Sequence, residues 1–140
     1  METLLRAALI DWLRDDVVLA QMLNSVTEEA PSRVSLPWLG LVASASIDWS
    51  TKTQRGREVR IALELHCRGD DPETAAALTD AVEARIEALP RSHPGLAQPG
   101  FQLVSIGFMR ARAQQRPGNI RAVLLEYRFR ILELSPTHER

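Results

Sequence analysis

Chemistry in a short chain needs a nucleophile, a base or a set of metal ligands, and this sequence offers few. It has three histidines, one cysteine (Cys67), one tyrosine and scattered carboxylates. His66 and Cys67 are neighbours inside an alternating stretch, so they point to opposite faces of a strand and do not share one metal in regular geometry. Asp70 and Asp71 stand just before Pro72 and Glu73, a pattern that caps a helix rather than pairing an acid with a base. Arg68, Gly69 and Asp70 spell an adhesion tripeptide, which here only closes a strand before that helix. No Gly-x-Ser-x-Gly elbow, Walker loop or dinucleotide fingerprint occurs. The sequence therefore predicts no enzyme, with no catalytic, cofactor-binding or metal-binding residues.

Charge is more informative. Thr51–Arg68 carries five basic residues to two acidic, net +3, and Arg110–Arg130 six to one, net +5. Residues 1–30 carry six acids to two arginines, net −4, and 70–89 six to one, net −5. The whole chain, 140 residues, balances at −1, so the signs are segregated rather than absent. Complementary patches on one subunit orient its encounter with copies of itself and favour head-to-tail rings. The basic segments also suit phosphates, yet no helix-turn-helix or aromatic RNA-reading pair accompanies them, so no sequence-specific nucleic-acid contact is expected.

The elements that would carry these charges follow from periodicity. Leu5, Ala8, Leu9, Trp12 and Leu13 make one stripe of a helix, which Val18, Leu19, Met22 and Leu23 continue before Asn24 and Ser25 end it. Residues 27–37, with two prolines, read as a connection. Trp38–Asp48 alternates as a strand, with Leu39, Leu41, Ala43, Ala45 and Ile47 expected on its buried face. Glu58–Cys67 alternates more plainly, and the polar STKTQRGR between these strands reads as a hairpin loop that projects outward. A capped helix starts at Asp71 and stops at Pro90. Strands follow at Phe101–Arg112 and Ile120–Glu133, parted by QQRPGN.

The order α-β-β-α-β-β predicts an α+β fold: an antiparallel four-stranded sheet covered on one face by two helices. Length and composition, 45% apolar and 25% charged, fit a single domain over 1–140, with a frayed tail at 135–140. The longest uncharged stretch, Val34–Ile47, is interrupted by Pro37, Gly40 and serines, so no membrane span is expected. Charges interrupt the apolar pattern of the first helix, which is unlike an export signal, and the lone cysteine fits synthesis in a reducing cytoplasm.

The segments TLLRAALIDWLRDD, LNSVTEEAP, PWLG, DWSTKTQRGREVRIALELHCRGDDP and RARAQQRPGNIRAVLLEYRFRILEL resemble phage tail terminator, or tail completion, proteins, most nearly those of bacterial gene transfer agents. The resemblance spans nearly the whole chain. It implies a structural subunit that forms a hexameric ring on the head-proximal end of a siphovirus-like tail tube. Such a ring stops tube growth and joins the head-tail connector, and DNA passes through its lumen without sequence-specific binding. The partners implied are other copies of the chain, the tail tube protein and the connector proteins, with no membrane. In that setting Trp49, Lys52, Arg55 and Arg57 of the first hairpin, and Arg112, Gln114, Gln115, Arg116 and Asn119 of the second, are the expected protein-interface residues. Some of these arginines are expected to pair with acids of an adjacent subunit. The alternative is a monomeric or dimeric adaptor that binds protein or nucleic acid through the same basic hairpins.

Overall fold

The computed structural model describes residues 2–28 and 35–134. Helix α1 (Glu2–Arg14) buries Leu5, Leu9 and Leu13 completely. A short α2 (Val17–Met22) follows, its start capped by Asp16, whose carboxylate accepts the Leu19 amide at 3.0 Å. Helix α3 (Pro72–Glu87) begins as its sequence dictates: Asp71 accepts the Thr74 amide at 3.1 Å and Pro72 takes the first turn. Its Leu78, Val82 and Ile86 are fully buried. No helix among the described residues is long and apolar enough to cross a membrane.

Five strands form one sheet: β1 (Ser25–Thr27), β2 (Trp38–Asp48), β3 (Arg55–Arg68), β4 (Phe101–Arg116) and β5 (Ile120–Glu133), in the order β1-β2-β3-β5-β4. This corrects the expected four-stranded antiparallel sheet and its α-β-β-α-β-β order. The added strand β1 pairs parallel with β2, which makes the sheet mixed, and α2 is a third helix. The three-residue β1 is too short for an alternation to declare it. It is held by tertiary contacts, with the Asn24 amide donating to Pro37 O at 2.9 Å and Arg14 Nε to Val26 O at 2.8 Å.

A second correction concerns β2. Leu39 and Leu41 face the helices opposite Leu65 and Leu63, but the register shifts between Leu41 and Ala43. Val42 is therefore the extra residue of a bulge, and beyond it Ser44 and Ser46 face the helix side. Ala43, Ala45 and Ile47 fall on the other face, opposite to the alternation read from the sequence. On β3 and β5 the reading holds: Ile61, Leu63, Leu65, Leu125, Tyr127 and Phe129 are at most 1% exposed and meet α1 and α3 in one core. The two helices are clamped together at one point. Trp12 Nε1 donates to Arg85 O at 2.6 Å, Arg85 Nε returns a bond to Trp12 O at 2.9 Å, and the guanidinium lies 3.3 Å from the indole centroid.

Strand β4 also runs further than expected, to Arg116, so Gln114, Gln115 and Arg116 are strand residues rather than loop. The turn is reduced to three residues, Pro117, Gly118 and Asn119, the last two with positive φ (82° and 59°) that a tight hairpin return demands. The expected frayed end, 135–140, lies outside the described residues.

Candidate assembly surface

Helices cover one face of the sheet, and among the described residues none covers the other. On that open face β3 presents Glu58, Arg60, Ala62, Glu64 and His66, and β5 presents Glu126, Arg128 and Arg130. The arginines converge on acids. Glu58, only 5% exposed, accepts Arg60 Nε at 2.8 Å and Arg130 Nε at 3.0 Å, while Arg128 Nε stands 4.0 Å away. The Arg60 hydrogen bond, against the desolvation that opposes it and with Arg130 in support, holds this carboxyl below its ordinary value. Burial pushes the Glu64 carboxyl up, but bonds from His66 at 2.7 Å and Arg116 at 3.0 Å outweigh it, and the net direction is down. Arg110 of β4 pairs with Glu126. Between these clusters runs a groove of about 510 Å³, floored by Ala43, Ala45 and Ala62 and walled by Arg60, Met109 and Arg110.

Trp38 closes one end of this face. It is 1% exposed, stands edge-on to His66 at 4.7 Å between ring centroids, and donates from Nε1 to Thr27 Oγ1 at 3.0 Å. Its ring lies across Gly40, where a Cβ would collide with it. His66 and Cys67 do point to opposite faces: His66 pairs with Glu64, while Cys67 is buried on the helix side, which pushes its thiol pKa up.

The nine expected interface residues fall into two groups at opposite ends of the sheet. Trp49, Lys52, Arg55 and Arg57 lie at the end where Arg55 pairs with Glu133. Trp49 is half-buried, its ring 5.3 Å from the Arg130 guanidinium, and its amide donates to Gly56 O at 2.9 Å. A side chain on Gly56 would strike the Trp49 carbonyl, so the close return of this loop requires glycine. Lys52 is exposed with no polar partner among the described residues, whereas Arg57 donates to Ser46 Oγ at 3.4 Å.

The second group lies some fourteen strand residues away, roughly 45 Å along β3. There the turn is braced rather than projecting, because the Gly69 amide donates to Asn119 O at 2.7 Å. Gln115 sits against Gly69, Ile120 and Arg121, and Arg116 is engaged by Glu64. Arg112 and Gln114 are exposed and carry no polar partner among the described residues. Sequence reasoning missed Glu58 as the anion at the centre of the open face. The available signal was its place between Arg57 and Arg60 on a strand whose neighbour carries Arg128 and Arg130.

Comparison with known proteins adds three findings. The family model of Tail completion protein gp17 matches residues 7–132. A chain in the solved structure "Virion of native gene transfer agent (GTA) particle" is 27% identical and superposes with a TM-score of 0.74, covering 91% of this chain and 94% of that one. No curated protein matches the sequence.

Proposed function

The chain belongs to the tail completion protein gp17 family, and from that premise we propose that it forms a hexameric ring capping the head-proximal end of a tail tube and joining it to the head-tail connector of a phage-like particle. Its role is structural and tail-associated. The observation that carries the finer reading is the placement of the two hairpin ends. A ring between tube and connector needs two unlike axial surfaces on each subunit. Here one end of the sheet offers an exposed loop with Lys52 and Arg55, and the other a braced three-residue turn flanked by Arg112 and Gln114.

The open face bears on the lumen. Five arginines on it or on the adjoining β4, Arg60, Arg110, Arg116, Arg128 and Arg130, are held by Glu58, Glu64 and Glu126. Guanidiniums committed to carboxylates in this way hold phosphate less tightly than free ones, which suits DNA that slides rather than sticks. The test is the absolute mass of the purified protein across concentration, by native mass spectrometry, repeated with purified tail tubes and followed by imaging. Six-subunit rings alone or on tube ends are expected. A protein that stays monomeric or dimeric in both settings overturns the ring and leaves the adaptor reading.

A further inference from the structure

The sheet has two edges, and among the described residues both are free over long stretches. β1 covers β2 only from Trp38 to Gly40, so along 41–48 no described strand lies on its outer side. β4 pairs with β5 on one side only, and along 105–116 no hydrogen bond from a described residue reaches its outer side. Unpaired edges of this length present rows of backbone donors and acceptors to any strand that fits. The exposed large apolar side chains of the strands lie on these same two stretches: Val42 and Ile47 on β2, and Phe108 and Met109 on β4, between 37% and 46% exposed. Val42 and Met109 are each the extra residue of a bulge.

We propose that the free edge of β4 in one copy pairs with the free edge of β2 in the next, joining their sheets with Ala111 opposite Ser46 on the helix side, Met109 buried beside Ile47 on the open side and Phe108 at the seam. The inference rests on the ring reading for the number of copies, not for the contact itself. Three observations name a second copy as the occupant. First, strand direction fits. β2, β3, β5 and β4 alternate along the sheet, so a copy rotated about an axis parallel to the strands brings its β2 alongside β4 in antiparallel sense.

Second, the charges complement each other. Along 105–116 β4 carries Arg110, Arg112 and Arg116 and no acid, whereas along 41–48 β2 carries Asp48 and no basic residue. Pairing β4 with β4 would set arginines against arginines. Third, the two edges are different surfaces of one chain. Their contact is heterologous and repeats from copy to copy until it closes.

Cross-linking tests the contact directly. One chain carries Ser46→Cys on β2 and another Ala111→Cys on β4, both on the helix-side face. Cys67, 1% exposed, is out of reach. A short bis-maleimide is expected to link the mixed chains roughly tenfold faster than either chain alone, or than Ala111→Cys mixed with a Lys52→Cys control. Phe108→Asp is expected to weaken self-association roughly tenfold or more while circular dichroism stays that of the folded wild type.

Equal linking rates in all mixtures overturn the inference. Hexamers of the wild type without the Ser46→Cys to Ala111→Cys product leave the ring standing and remove this interface. The product found in dimers or open chains, with no six-membered species, keeps the interface and removes the hexamer. Linking of Ala111→Cys only to tube subunits assigns the β4 edge to a different partner and also overturns the inference.

Discussion

Arg130 Nε reaches the Glu58 carboxylate at 3.0 Å across the β3–β5 pair, and this bond belongs to a cluster in which one nearly buried acid serves three arginines. Replacing Glu58 by Gln leaves those guanidiniums facing each other without their anion. The arginines are about a third to a half exposed, so water screens part of the loss, and the expected cost is about 1–3 kcal/mol. The pKa of Glu58 is lower in the folded chain than its ordinary 4.5. Its stabilisation is thus fully present above pH 4.5 and is lost as pH falls through the depressed folded value. Urea titrations from neutral pH to below 4 are expected to show a steeper loss for wild type than for Glu58→Gln; parallel curves would assign the acid sensitivity elsewhere.

The indole of Trp38 depends on the bare backbone of Gly40 beneath it. Gly40→Ala pushes the ring off that surface, weakens its bond to Thr27 and loosens the short β1 that Thr27 ends. An overpacked site of this kind costs about 1–3 kcal/mol. The measurement is the urea midpoint at unchanged slope, with loss of near-ultraviolet dichroism as the local sign of a displaced tryptophan. A variant as stable as wild type, with the same near-ultraviolet spectrum, would mean the ring has room to move.

What the sequence disclosed follows from where the sheet is regular. β3 and β5 have uninterrupted alternation because each pairs along its length without a bulge, and α3 announces itself through Asp71, Pro72 and Pro90. β2 misled because the Val42 bulge reverses the faces after Leu41, and a register shift leaves no mark in composition. The end of β4 read as a connection because Ala113–Arg116 is exposed and has no apolar alternation to show. Clustering of positive charge on the hairpins was legible, but their separation to opposite ends depends on how the hairpins stack in the sheet.

Tyr127 is fully buried, and its hydroxyl donates to Glu87 Oε2 at 2.8 Å, tying β5 to the last turn of α3. Burial, and after it the bond to Glu87, push the phenol's pKa well above its ordinary value. Tyr127→Phe keeps the ring packing against Phe108 and Phe129 and removes only this bond. Glu87 recovers water at its exposed end, so the expected loss is about 1 kcal/mol in urea unfolding. A loss near 3 kcal/mol would instead require that the hydroxyl organises the helix end.

Salt separates the two kinds of contact proposed for the ring. The edge between β4 and β2 is mainly backbone pairing and apolar burial, which screening does not remove, with Arg110 and Arg112 adding a modest charge contribution. The end of the subunit that carries Lys52 and Arg55 offers exposed charge, and Arg55 holds its own Glu133 only loosely at 3.7 Å. Raising ionic strength from about 0.1 M to about 1 M shortens the screening length from roughly 10 Å to roughly 3 Å, enough to erase such exposed attractions. Rings are therefore expected to persist at 1 M salt while their attachment through that end is released. Lys52→Glu should weaken attachment to the same partner at low salt without dissolving the ring. Sedimentation of rings with purified tubes and, separately, with connector reads both effects. If neither partner loses affinity in the variant, Lys52 is simple solvated surface; if rings fall apart in salt before they detach, charge rather than strand pairing holds the subunits together.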